Sequence, residues 1–144
     1  PCSTNNPVVD ILVGNKLGIA KGMGIDVDCS LLLPYPCGIR DIDICIVLSN
    51  ALDNAIHAVK GLDAGIEKYI RVSGRIQGDL LMIETRNSFP GKGAFKKGTG
   101  LSNIKKVVEK YDGAMNIETQ DHVFILHVLL FIPQHPESSP QQMD

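Results

Sequence analysis

The sequence predicts an α/β chain, a two-layer sandwich with three helices on one face of a mixed sheet of about five strands, and three observations predict it. Apolar residues follow a helical period in three separated stretches and alternate with polar or small residues in two of the stretches between them. The order runs helix, strand, helix, two strands, helix, two strands, which suits a sheet whose helices gather on one face. At 144 residues, with 44% hydrophobic and 21% charged content, the chain has room for one domain with a single core.

Asn6 followed by Pro7 predicts a helix start: a capping side chain, then a residue whose φ is pre-set for the first turn. Val8, Ile11, Leu12 and Ile19 give it an imperfect apolar stripe, and Gly22 and Gly24 are expected to stop it. Ile25, Val27, Cys29 and Leu31 alternate with Asp26, Asp28 and Ser30, the period of a half-buried strand, which Pro34 and Pro36 end. A long helix follows from Asp41 to Val59, with Asp41 or Asp43 expected as its cap and Gly61 and Gly65 closing it. Ile70, Val72, Gly74 and Ile76 alternate with polar neighbours, and Gln77-Gly78-Asp79 turns the chain into a second strand, Leu80 to Arg86. The segment from Asn87 to Gly100 is too rich in Gly and Pro to be regular. It opens a third helix, with Leu101, Ile104, Val107 and Val108 facing inward and Asp112-Gly113 at its end. Ala114 to Thr119 and Val123 to Ile132 form a last pair of strands around Gln120-Asp121-His122. After Pro133 the apolar residues all but cease, which predicts a disordered tail.

A formal net charge of -2 lacks the basic footprint of general nucleic-acid binding, so no nucleic-acid partner is expected. No apolar run approaches the roughly 20 residues that span a bilayer, and the amino end shows no charged-then-apolar leader. Because the chain begins with Pro1 rather than Met, it reads as part of something longer, whose other segments would make any membrane contact. The expected division is a linker remnant at 1–5, one domain at 6–133 and a flexible tail at 134–144. Cys2, Cys29, Cys37 and Cys45 form no CxxC pair and lack the His spacing of a zinc site. They are read as reduced thiols of a cytosolic compartment, with a Cys29 to Cys37 pair left open.

The central helix carries the polar chemistry. At about 100° per residue, Asn50, Asp53, Asn54 and His57 share one arc, opposite Ile44, Leu48, Ala51, Leu52, Ala55 and Val59. A merely solvated face favours Lys and Glu, whereas two carboxamides, a carboxylate and an imidazole are ligand-bearing groups. An amide oxygen is a hard donor suited to Mg²⁺, which takes few protein ligands plus phosphates, and Asn54 is the residue expected on the metal. Gly98 and Gly100 lead into a helix whose free N–H groups favour an anion, and Lys92, Lys96 and Lys97 stand ready to neutralise a phosphate. Asn87 offers an acceptor and a donor to the edge of a purine entering between helices and sheet. Singly, each has a plain structural explanation as a turn, a strand end or a solvated loop. Their order and spacing give them force.

Together, "LSNALDNAIHAV", "IETRNSFPG" and "KGTGLSNIKKVVEKYDG" resemble the N, G1 and G2 boxes of the GHKL ATPases. Within these, they look like the ATP-binding catalytic domain of sensor histidine kinases, in the branch that includes peptide quorum-sensing receptors. The resemblance runs from about Asn6 to Pro133. It implies a Bergerat-type fold, ATP and Mg²⁺ as cofactors, and transfer of the γ-phosphoryl group to a histidine on a separate dimerisation domain. Carried onto matching positions, it gives Asn54 the Mg²⁺ and gives Asn50 the placing of metal water and phosphates. Asp53 shares their face, and His57 stands where a basic residue lies near the phosphates. Asn87 matches the reader of the adenine amino group and Gly91 the last G1 glycine. Gly98, Thr99, Gly100 and Leu101 match the G2 turn, and Lys92 to Lys97 a short ATP lid. Departures from the pattern are Asn87 where most of the superfamily has a carboxylate, Phe89 for a glycine, a lid of a few residues, and Val123 for a Thr before Phe124. They bear on adenine affinity more than on fold.

The resemblance also implies partners: the histidine-bearing dimerisation domain of the same parent, and a response regulator downstream. Nothing before Asn6 can be the acceptor hairpin, and His122, His127 and His135, in a turn, a strand and a tail, are poor substitutes. The expectation is a cytoplasmic catalytic domain of a membrane-bound, dimeric parent, binding nucleotide without autophosphorylating alone. Two other readings stand beside it. A free-standing serine kinase of anti-sigma type is disfavoured by Asn50, where such enzymes carry an acidic base. A degenerate GHKL-like protein-interaction module is favoured by the altered G1 box and opposed by the intact N and G2 boxes.

Overall fold

The computed structural model describes residues 4–34, 36–91 and 98–134. Among them the chain forms α1 (Pro7–Gly22), β1 (Asp26–Leu32), α2 (Asp41–Lys60), β2 (Tyr69–Gln77), β3 (Leu80–Ser88), α3 (Thr99–Lys110), β4 (Ala114–Gln120) and β5 (Val123–Phe131). The sheet order is β1-β2-β3-β5-β4. β1 pairs with β2 in parallel, joined by the α2 crossover, and every other pairing is antiparallel. The expected mixed five-stranded sheet with three helices is therefore the observed one.

α2 is the middle of the helical layer, packed between α1 and α3 and over β2 and β3. Ile44, Val47, Leu48, Ala51, Leu52, Ala55 and Val59 are buried against Ile70, Leu81, Ile83, Leu126 and Leu130 of the sheet. Each large side chain so buried contributes about 1.5–3 kcal/mol. At 20 residues and mean hydropathy 1.3, α2 is long and apolar enough to cross a membrane, which the sequence reading had not expected of any segment. Here its apolar side forms the centre of the core, and its other side is polar.

Three expectations are corrected. In α1 the buried residues are Val9, Val13, Leu17 and Ala20, while Val8, Ile11 and Ile19 are exposed and only Leu12 of the expected stripe packs in part. The helix is apolar on several sides, so contact with α2 and β1, not period, selects its buried face. Asn6 does cap α1, its Oδ1 accepting from the N–H groups of Val8 and Val9 at 3.1 and 3.3 Å. Neither Asp41 nor Asp43 caps α2. Its N-cap is Arg40, without a side-chain bond. Asp41 instead accepts from Asn6 Nδ2 at 2.9 Å, and Asp43 is held by α3, although both still favour the positive end of the helix dipole. Finally, Cys29 is disulfide-bonded whereas Cys37 and Cys45 are free thiols. Cys29 is thus not reduced and not paired with Cys37, because proximity in space, which spacing along the chain does not reveal, decides the bond. The expected tail from 135 onward lies outside the described residues.

Candidate functional site

The polar face of α2 meets the start of α3. The backbone of Gly100 comes so close that a Cβ there would lie 3.3 Å from Asn50 Oδ1, and Asn50 would have to give by a few tenths of an ångström to admit one. Asn50 Nδ2 donates to the carbonyl of Ile46 at 2.7 Å, and its Oδ1 lies 3.5 Å from Asn103 Nδ2 on α3. Asn50 therefore spans the two helices. One turn on, Asn54 is half-buried, and its amide has no partner among the described residues. His57 is exposed beyond it. Asp53 turns toward α1, where Lys16 Nζ pairs with its carboxylate at 2.7 Å.

α3 opens with Gly98 in extended conformation, no side-chain cap and no acidic residue in its first turn. Its first turn thus brings no carboxylate of its own to its leading N–H groups, which suits them to an anion. Leu101 is buried beneath that turn. Lys92, Lys96 and Lys97, the expected lid, and the side chain of Thr99 lie outside what is described.

Asn87 lies two residues deeper in the sheet than expected, because β3 runs on to Ser88. It is 0% exposed, on the helix-covered face, registered between Ile70 and Phe124. Its Nδ2 donates to the carbonyl of Ser88 at 2.8 Å, which turns Oδ1 the other way, and that oxygen has no partner. A buried acceptor left so costs about 1–3 kcal/mol, so the position calls for a donor. Just beyond, Phe89 fills the place expected of a glycine. It is buried with its ring 5.5 Å from that of Phe124, at a 48° tilt, so it builds a wall instead of obstructing the chain. Gly91, at φ +114°, follows it.

Behind the α2–α3 contact, buried Asp43 accepts from Tyr111 Oη and from Lys110 Nζ, the latter at 2.9 Å. Burial alone would raise its pKa. The bonds from Tyr111 and Lys110, with the charges of Lys110 and Arg40, outweigh burial and hold it below the ordinary value. Burial, then the bond to Asp43, raises that of Tyr111.

The structure thus joins Asn50, Gly100 and Leu101, leaves Asn54 and His57 beside them, and directs Asp53 elsewhere. Lys16 and Asn103 were missed. Asn103 was within reach, since it lies three residues after Gly100 and so on the same helix face. Lys16, on a different helix from Asp53, left no signal.

Residues 39–131 match the family described as the GHKL domain. The chain is 30% identical to the sensor protein CitS of Halalkalibacterium halodurans, over 91% of this chain but 28% of that protein, so it spans little more than a quarter of that relative's length. Among solved structures, the catalytic domain of the histidine kinase ThkA superposes with a TM-score of 0.68 at 17% identity, covering 90% of this chain and 94% of that one. The Acinetobacter baumannii histidine kinase AdeS gives 0.69 at 16%, over 92% and 66%. At such identities these structures speak for the fold alone.

Proposed function

Because the chain belongs to the GHKL domain family, we propose that it is the ATP-binding catalytic domain of a two-component sensor histidine kinase, passing the γ-phosphoryl group of ATP to a histidine on a separate dimerisation domain. The observation that carries this reading is Asn87 Oδ1, a fully buried acceptor without a donor, at the position that the resemblance matches to the reader of the base. The exocyclic amino group of adenine is such a donor.

The residues present fit ATP and Mg²⁺. Asn54 would offer the metal an amide oxygen that has no partner among the described residues, and the uncapped start of α3 offers N–H groups to phosphate oxygens. Asn50 fixes the spacing between those two by bonding into α2 and facing Asn103 on α3. Mg²⁺ held there would supply positive charge to the phosphates. The chain itself supplies position and charge complementarity. It needs no general base, since a neutral imidazole on the acceptor is itself the nucleophile. The parent would be membrane-bound with this domain cytoplasmic, and would hand its phosphoryl group to a response regulator.

Calorimetric titration with ATP or ADP, with and without Mg²⁺, tests the reading. Saturable binding strengthened by the metal is expected. No binding at millimolar nucleotide overturns it in favour of a protein-interaction module.

A further inference from the structure

Registered pairing between β3 and β5 ends at Ser88 and Val123. One step further, the N–H of Phe89 donates to the carbonyl of His122 at 2.9 Å. In return, His122 Nδ1 lies 3.1 Å from the carbonyl of Phe89. A carbonyl oxygen only accepts, so Nδ1 carries the proton. In a hydrogen-bonded antiparallel pair, the two residues exchange two main-chain N–H···O bonds. Here one of the two comes from an imidazole, at a point where the chain is already reversing through Asp121 at φ 52°.

This side-chain rung holds the segment that follows Asn87. It fixes Phe89 where its ring meets Phe124, the residue registered opposite Asn87. It also covers Gly91, at which a Cβ would lie 3.4 Å from His122 Cε1. On the nucleotide-binding reading above, we propose that His122 is a positioning residue for that site: its imidazole replaces a main-chain N–H and pins the Phe89 to Gly91 wall beside the purine reader.

The test compares His122→Ala, His122→Phe and His122→Asn with the unaltered chain, by ADP and ATP titration and by thermal melting. His122 is exposed, so none of these changes opens the core. Losing one such bond predicts about fivefold weaker binding for Ala and Phe. The factor should be the same for ADP and ATP, with the Mg²⁺ enhancement unchanged, since the effect sits at the base end. Asn, whose Nδ2 can donate from nearly the same position, should restore affinity. Unaltered affinity in all three variants overturns the proposal, as does a loss that Asn fails to restore and that follows the melting temperature. If the unaltered chain itself binds no nucleotide, the underlying reading fails and this proposal with it.

Discussion

The hydroxyl of Tyr111, at the end of α3, donates to the carboxylate of Asp43, in the first turn of α2, and joins two residues 68 positions apart. Lys110 reaches the same oxygen. This bond is one of the ties that set the distance between α2 and α3, and so the width of the gap that Asn50 and Gly100 share. Asp43→Asn or Tyr111→Phe should destabilise the fold by about 1–3 kcal/mol, the range for a buried partner left behind. The pH dependence follows from the directions of the two shifts. Asp43 titrates below its ordinary 3.8, so its contribution is complete above that value and is lost as pH falls from there through the lower folded value. Tyr111 titrates above its ordinary 10.0, so its contribution is complete below that value and fades as pH rises past it. Denaturant melts of the unaltered chain and Asp43→Asn at pH 7 and pH 3 check the acid limb. The gap between the two proteins should shrink at pH 3, and a constant gap would refute the assignment.

Gly100→Ala separates stability from binding. The added methyl would stand 3.3 Å from Asn50 Oδ1, and that side chain must give way. Helix propensity alone favours Ala by about 0.5–1 kcal/mol. The melting temperature should therefore hold or rise, while affinity for Mg²⁺–ADP falls about tenfold, a cost of about 1.4 kcal/mol. Calorimetry beside a thermal melt reads both, and undiminished affinity would mean that α3 does not begin at the phosphates.

Much of this was legible in the chain because period and punctuation are local. The alternation in β1 and β2, the Gly78 turn and the Asn6 cap all depend on neighbours a few residues away. The failures were at positions decided by distant contacts. Asp43 looked like a cap and is a partner of Tyr111 and Lys110. α1 offered two apolar stripes, and only its packing on α2 and β1 chose Val9, Val13 and Leu17 over Val8, Ile11 and Ile19. In the candidate site, residue types at fixed spacing on α2 and at the start of α3 pointed to Asn50, Asn54 and Gly100, of which the structure brings Asn50 and Gly100 together. Lys16 and His122, each acting across elements, were not found as site residues. His122 was seen only as a turn residue unsuited to accept phosphate.

Asn54→Ala tests the metal ligand. The amide is half-buried and unpartnered among the described residues, so its loss should change stability by no more than about 0.5 kcal/mol. What should disappear is the strengthening of ADP binding by Mg²⁺, leaving the same affinity with and without the metal. Persistent enhancement in the variant would place the ion on another ligand.

Asn87 can be probed by two substitutions that pull in opposite directions. Leucine removes the orphaned acceptor and also the bond to the Ser88 carbonyl, and the two effects on stability oppose each other. The free protein should melt within a few degrees of the original, while ATP affinity falls at least about tenfold because the base loses its acceptor. Aspartate keeps an acceptor but places an unpaired charge in a buried position, where desolvation favours the neutral acid. That variant should be less stable than the original at neutral pH, and should recover stability as pH falls and the buried acid protonates. Added ATP should raise its melting temperature more than it raises that of the Leu variant, because a bound amino group gives the carboxylate a donor. Thermal melts across pH, with and without ATP, read all of these effects at once. If the Leu variant binds ATP as the original does, the base is read elsewhere, and the buried oxygen is an unfilled position in the core.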